Sequence, residues 1–439
     1  MKKQIKLLAI LFLLTQWAYA QNFPTEKLDN YFETLADNNK FMGSVAIFKK
    51  DKIIYTKQIG KAAIEYAKNP DVNTKYRIGS ISKTFTATLI FKAIEEEKIH
   101  LSDKLALYFP TITNAKDITI ANLLNHHSGI HNFTDDAAYL NYNTTPKTQQ
   151  EMLAIIQKGG SDFKPNEKGS YSNANYVLLS YILEKIYKKS YAELLKLKIT
   201  QPLGLKNTYF GGKIVLENNE CYSYRYNESW EKETETDTSI PMGAGGIVST
   251  PSDLLLFANA LFNAKIINNQ SLKIMKTVTD NYAFGLFQMP FHGKKSYGHT
   301  GGIDGFTSAF GYFITEQIGI SFISNGTNYN TNNIMLTMLN AVFGKPFKIP
   351  SFKTYLVSEE VLQSYVGTYT SDQIPLIITV SKSGKSLSAQ AKGQSAFPLE
   401  ATSKNRFEFE LAGIVMLFDS AKKQLVLKQG GKEFTFTKG

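Results

Sequence analysis

Apolar and polar positions follow two different periods along this chain, and the change of period marks its organisation. Residues Pro24 to Asn38 read as a helix. Gly43 to Phe48 and Ile53 to Gln58 alternate as two strands about a turn at Lys50-Asp51. After Ser80 the period lengthens: Phe85, Leu89, Ile90 and Ile94 recur at helical spacing, predicting a helix that runs to about Lys98. From about 100 to 230 the pattern is mostly helical with long loops, and Tyr176 to Lys188 is an amphipathic helix. Thr250-Pro251-Ser252-Asp253 predicts another helix start. There Thr250 is the cap, Pro251 sits in the first turn and Asp253 takes the reciprocal capping position. Strands return at Gly305 to Phe313 and Gly319 to Ile323. Strands at both ends of the region with helices between them predict an α/β (α+β) architecture, an antiparallel sheet flanked by helices.

Beyond Lys345-Pro346-Phe347-Lys348-Ile349-Pro350 the pattern changes again. Ile377 to Val380, Leu387 to Gln390, Phe407 to Leu411, Ile414 to Phe418, Leu425 to Leu427 and Phe434 to Phe436 are short strands. Turns such as Lys382-Ser383-Gly384-Lys385 separate them. Regular short strands predict a small β-barrel or sandwich. The expected division is a segment 1–20, a body 21–345, a linker 346–350 and a small all-β unit 351–439.

Length and composition agree with two folded units. The chain has 439 residues, 43% hydrophobic and 20% charged, with 24 Tyr and 29 Phe. The N-terminus reads as an export signal. Lys2 and Lys3 form a basic start, Leu7 to Leu14 an apolar run too short to span a bilayer, and Ala18-Tyr19-Ala20 a cleavage site. Its removal predicts a periplasmic or secreted protein with no membrane span. It would lower the formal charge from +11 to +8, a balance of 46 basic and 38 acidic side chains. No basic block is interleaved with aromatics, so nucleic acid is not an expected partner. Cys221 is the only cysteine, which excludes an internal disulfide.

The candidate chemistry centres on serine. S-x-x-K occurs four times, at Ser80/Lys83, Ser161/Lys164, Ser229/Lys232 and Ser420/Lys423, so the motif alone selects nothing. Context selects Ser80. It follows the extended stretch Tyr76 to Gly79 and opens a periodic helix, which places Lys83 one turn along on the same face. The Ser80 N–H, unpaired at a helix start, can point at a carbonyl oxygen. Tyr171-Ser172-Asn173 stands in a turn before an amphipathic helix. A phenol there can relay protons, and a nearby ammonium would depress its pKa. His299-Thr300-Gly301-Gly302 precedes the strand at 305, where Gly-Gly permits close approach and can complete an oxyanion hole. His126, His127 and His131 lack the alignment and the acidic company of a metal site, and no metal or cofactor is expected.

Ser80-Ile81-Ser82-Lys83, Tyr171-Ser172-Asn173 and His299-Thr300-Gly301, in that order, resemble the signature elements of the serine β-lactamase and penicillin-binding-protein superfamily. The class C β-lactamase-like branch, with its D-alanyl-D-alanine carboxypeptidases, D-aminopeptidases and esterases, is the closer match. Ile118 to Ile130, Gln201 to Leu205 and Gly245 to Thr250 are similar to further stretches of that branch. Tyr365 to Tyr369 resembles the lipocalin-like C-terminal domain of some members. The resemblance implies a small-molecule or short-peptide substrate, peptidoglycan-derived ones included, cleaved through a Ser80 acyl-enzyme. Lys83 would be the base and Tyr171 the proton carrier. Asn173, His299, Thr300 and Gly301 would contact substrate, or Asn173 orient Lys83, and the N–H groups of Ser80 and Gly302 would hold the oxyanion. His126 and His127 become structural. His299 replaces the commoner lysine and is mostly neutral at pH 7, which favours a peptidase or esterase over the alternative of a true β-lactamase or penicillin-binding protein. The alternative of another class is a non-catalytic cell-wall-binding protein.

Overall fold

The computed structural model describes residues 23–352 and 355–439. The export signal expected over residues 1–20 lies outside the described residues.

Six strands form an antiparallel sheet: β1 (Phe41–Lys49), β2 (Lys52–Ile59), β3 (Phe287–Phe291), β4 (Lys294–Ile303), β5 (Phe306–Phe313) and β6 (Ile318–Thr327). Their spatial order is β2-β1-β6-β5-β4-β3, so the two ends of the body meet where β1 pairs with β6. β1 is buried on both faces, and its alternation distributes side chains between two cores. Phe41, Val45 and Ile47 join one cluster with Leu28, Tyr31, Phe32 and Leu35 of helix α1 (Thr25–Asp37). Ala46 and Phe48 join the larger cluster on the opposite face.

That larger core is built around helix α2 (Ser82–Glu95), whose residues from Ser82 to Phe91 are all buried. The sequence reads a helix here running to about Lys98, and the helix ends at Glu95. In the fold it is a central helix, and its polar residues are satisfied by distant backbone. Thr84 Oγ1 donates to the Gly285 carbonyl at 2.8 Å and Thr86 Oγ1 to that of Gly243 at 2.7 Å. Helix α3 (Asn173–Tyr187) begins three residues earlier than its apolar period predicts. Helix α4 (Pro251–Phe262) starts at the expected place, with Thr250 Oγ1 accepting from Asp253 N at 3.1 Å. The reciprocal cap is not formed: Asp253 Oδ2 instead accepts from Asn207 N and Thr208 Oγ1, each at 2.9 Å.

At the C-terminal end eight antiparallel strands close into a barrel in sequential order, from Gly367–Thr370 to Lys432–Lys438. Phe407 opens no long strand. The strand Arg406–Phe409 gives way to a 3-10 turn at Glu410–Ala412, and two barrel strands, Gly367–Thr370 and Phe397–Ala401, are additional to those read from the pattern. Lys40 Nζ bonds Glu400 Oε1 at 2.8 Å, and Asn333 Nδ2 bonds Glu410 Oε1 at 2.8 Å, between body and barrel. Among the described residues no helix is long and apolar enough to cross a membrane.

Candidate active site

Ser80 sits in a single 3-10 turn, Gly79–Ile81, between the short strand Tyr76–Arg77 and α2. That turn places its hydroxyl beside the first turn of α2, from which Lys83 projects inward. Lys83 is fully buried and makes three contacts: Ser80 Oγ at 3.0 Å, Asn173 Oδ1 at 2.8 Å and the Ala244 carbonyl at 2.7 Å. Burial alone pushes its pKa well below the usual lysine range.

The three contacts would suit the three N–H groups of an ammonium as well, so it is burial that selects the neutral amine, and the contacts accommodate it. The Asn173 amide is oriented by its other end, since Nδ2 donates to Asn132 Oδ1 at 3.2 Å and Thr134 Oγ1 at 3.1 Å. Its Oδ1 therefore faces Lys83 as an acceptor, as does the Ala244 carbonyl. A neutral amine has two N–H groups for those two acceptors. One lone pair remains, and the third neighbour is a hydroxyl that can donate to it.

Tyr171 precedes α3, and Ser172 is the residue before its first turn. The Tyr171 hydroxyl lies near enough to Ser80 to interact with it. Its ring stacks on His126 with centroids 4.5 Å apart, and the Lys83 Nζ lies 4.9 Å from its centroid. His126 Nδ1 accepts from Ser172 N at 3.2 Å, which fixes the chain beside Tyr171. The expected depression of the Tyr171 pKa does not occur. Burial raises it, and the nearby Ser80 hydroxyl offsets this only in part, because a neutral Lys83 offers no ammonium to stabilise a phenolate.

His299, Thr300, Gly301 and Gly302 lie inside strand β4, not ahead of a strand: the turn is Asp304-Gly305, and β5 starts at Phe306. His299 is 2% exposed, with its ring 4.6 Å from that of Phe287 and Nδ1 at 2.5 Å from the Thr300 carbonyl. Burial, the leading cause, pushes its pKa down to about 3, well below the value near 6.5 expected from sequence. Thr300 is exposed. Gly301 and Gly302 pack directly on the turn that carries Ser80. A Cβ on Gly301 would stand 2.1 Å from the Ile78 oxygen, and one on Gly79, whose φ is 51°, 2.8 Å from Gly302 N.

A cleft of about 480 Å³ opens beside these groups. Ser80, Asn173 and Gly302 line it with Phe133, Tyr139 and Phe306, among others. Lys83, Tyr171 and His299 are not among its lining residues. Among the described lining residues none is Lys or Arg. A larger groove of about 940 Å³, between Phe23 and Phe347, contains none of the candidate catalytic or substrate-binding residues, so chemistry and not size selects the smaller cleft. Of the three histidines near residue 130, His127 Nε2 meets Asp280 at 3.2 Å and His131 bridges Asp136 and Asp162 at 3.2 and 2.9 Å.

Sequence reasoning missed Asn132 and the Ala244 carbonyl, which fix the surroundings of Lys83. Asn132 Oδ1 accepts from both Asn173 N and Nδ2. Neither had a motif to announce it, although Asn132 stands two residues beyond the stretch Ile118 to Ile130.

The Beta-lactamase family model matches residues 28–345. Penicillin-binding protein 4* of Bacillus subtilis (strain 168) is 26% identical over 441 residues, covering 92% of this chain and 97% of that protein. Teichoic acid D-alanine hydrolase of Staphylococcus aureus is 30% identical over 274 residues, covering 60% of this chain and 66% of that protein. Among solved structures, D-amino acid amidase from Ochrobactrum anthropi SV3 complexed with L-phenylalanine superposes with a TM-score of 0.66 at 25% identity, over 73% of this chain and 98% of that one. The octameric penicillin-binding protein homologue from Pyrococcus abyssi gives 0.65 at 25% identity, over 92% and 97%.

Proposed function

The chain belongs to the beta-lactamase family of serine hydrolases, and from that premise we propose that it cleaves amide or ester bonds of D-amino-acid substrates through an acyl-enzyme on Ser80. The observation that carries this reading is the burial of Lys83 with its Nζ 3.0 Å from Ser80 Oγ, held there by Asn173 Oδ1 and the Ala244 carbonyl.

The steps follow from that arrangement. Lys83 takes the Ser80 proton as Oγ attacks the acyl carbonyl. The N–H groups of Ser80 and Gly302 receive the oxyanion. Tyr171, kept protonated by burial, gives its proton to the leaving nitrogen or oxygen, and the proton held by Lys83 restores it. Water then attacks the ester on Ser80 with the same groups acting in reverse. Asn173 orients Lys83. Both its amide hydrogens are already engaged, so a substrate amide gains nothing from it in this arrangement.

The substrate class is supported by charge. A penicillin or a peptide with a free C-terminus presents a carboxylate. The lining residues described offer it no cation, and His299 is neutral at working pH. Substrates without that carboxylate lose less, which favours a D-aminopeptidase, amidase or esterase over a carboxypeptidase or β-lactamase. The names of the D-amino acid amidase and the teichoic acid D-alanine hydrolase support the D configuration. The expected export signal supports a periplasmic or secreted enzyme, and residues 351–439 are taken as a unit that tunes access. The test compares kcat/KM for D-alanine p-nitroanilide, its L enantiomer, an N-acyl-D-Ala-D-Ala peptide and a penicillin. Preference for the D-anilide by about tenfold or more, the equivalent of 1.4 kcal/mol in transition-state binding, is the expected result. A preference for either carboxylate-bearing substrate refutes the substrate class.

A further inference from the structure

Arg77 and Asp304 touch none of the catalytic groups above, although Asp304 lines the cleft, and they flank both halves of the oxyanion site. Arg77 stands three residues before Ser80, and Asp304 stands two residues after Gly302. Their side chains are 4% and 3% exposed, and Arg77 NH1 meets Asp304 Oδ2 at 3.0 Å. NH1 also donates to the Thr236 carbonyl at 2.6 Å and NH2 to that of Gly212 at 2.8 Å. The other carboxylate oxygen, Oδ1, accepts from Thr236 N at 2.9 Å and Thr236 Oγ1 at 2.6 Å. One carboxylate therefore joins three segments: the approach to Ser80, the end of β4 and the cleft wall at Thr236.

The backbone around this pair is set under constraint. Asp304 has φ 53°, a left-handed conformation uncommon for a residue with a Cβ, in the two-residue connection between Ile303 and Phe306. Its three side-chain bonds hold it there. The segments being joined touch backbone to backbone, with room only for glycine at 79 and 301. On the far side of that contact Ser308 Oγ donates to the Ile78 carbonyl at 2.8 Å.

We propose that the buried Arg77–Asp304 ion pair sets the spacing between the Ser80 and Gly302 N–H groups, so that both are positioning residues for the oxyanion site. The proposal rests on the reading of Ser80 as nucleophile. It is distinct from fold maintenance, because a small displacement of one donor weakens transition-state binding without emptying the cleft.

The test uses the full chain and the variants Asp304→Asn and Arg77→Lys. Folded protein is counted by active-site titration of Ser80 and compared by near-ultraviolet circular dichroism. Turnover of an uncharged ester and inhibition by phenylboronic acid, which forms a tetrahedral adduct on the serine, are then measured. The expected result is a fall in kcat of about 10- to 100-fold with KM within about threefold, and a boronate Ki that worsens by the same factor as kcat. Arg77→Lys, which keeps the charge but loses the planar fork, should fall less than Asp304→Asn. The proposal is overturned if a folded variant keeps kcat within about twofold, or if kcat falls while boronate affinity is unchanged. Failure of both variants to fold assigns the pair to stability and also overturns it. A wild-type enzyme that is neither labelled at Ser80 nor inhibited by the boronate instead refutes the nucleophile assignment.

Discussion

Replacing Asn173 with aspartate tests whether Lys83 acts as a neutral base. The substitution keeps the shape of the side chain and places a carboxylate oxygen where Oδ1 now stands, 2.8 Å from Lys83 Nζ. In the native protein burial holds the lysine pKa far below its usual range. An opposite charge within about 4–6 Å moves a pKa by about 1–3 units toward the charged form. For lysine the sign is upward, so the amine stays protonated to higher pH and the acid limb of the rate profile moves to higher pH. At a fixed pH on that limb, the neutral fraction falls by about 10- to 1000-fold. The assay is the second-order rate of Ser80 acylation by an activated uncharged ester between about pH 5 and 10, on protein counted by titration. Asn173→Asp should be slow near neutrality and recover toward alkaline pH. An acid limb that is unmoved, or moved to lower pH, refutes the neutral-amine mechanism.

Two further outcomes follow from particular contacts. Gly79→Ala introduces a Cβ 2.8 Å from Gly302 N at a φ of 51°; it should cost about 1–2 kcal/mol or more in stability from the left-handed backbone alone and lower kcat by about 100-fold, read by denaturant unfolding and ester turnover, and native kcat would contradict the close-packed oxyanion site. His299, with a pKa near 3, stays neutral across pH 5 to 8. Penicillin acylation should therefore show no rise toward pH 5, and a histidine-like rise there would show the ring to be more accessible than its 2% exposure indicates.

What the sequence revealed and what it hid have physical reasons. The juxtaposition of Ser80 and Lys83 was legible because an extended run meets a helical period there, which made one of four S-x-x-K motifs stand apart. The strands β1 and β2 were legible because their alternation is local. The central position of helix α2 was not legible because its polar residues find partners far away in sequence, as Thr84 does at Gly285 and Thr86 at Gly243. The placement of His299 to Gly302 was off because glycines usually interrupt strands, whereas here they let β4 press against the Ser80 turn. The direction of the Tyr171 shift depended on whether Lys83 is charged. That depends on burial, to which the spacing of two residues gives no access. Asn132, Arg77 and Asp304 had no motif because each acts through partners brought together only by the fold.

The most direct measurement is the mass of the intact protein after reaction with a fluorophosphonate or a penicillin, followed by mapping of the modified peptide. The account predicts one adduct, on Ser80, and none in a Ser80→Ala variant that melts like the wild type and has lost ester and amide turnover by several orders of magnitude. Turnover that persists in folded Ser80→Ala, or an adduct on another residue with Ser80 unmodified, contradicts it.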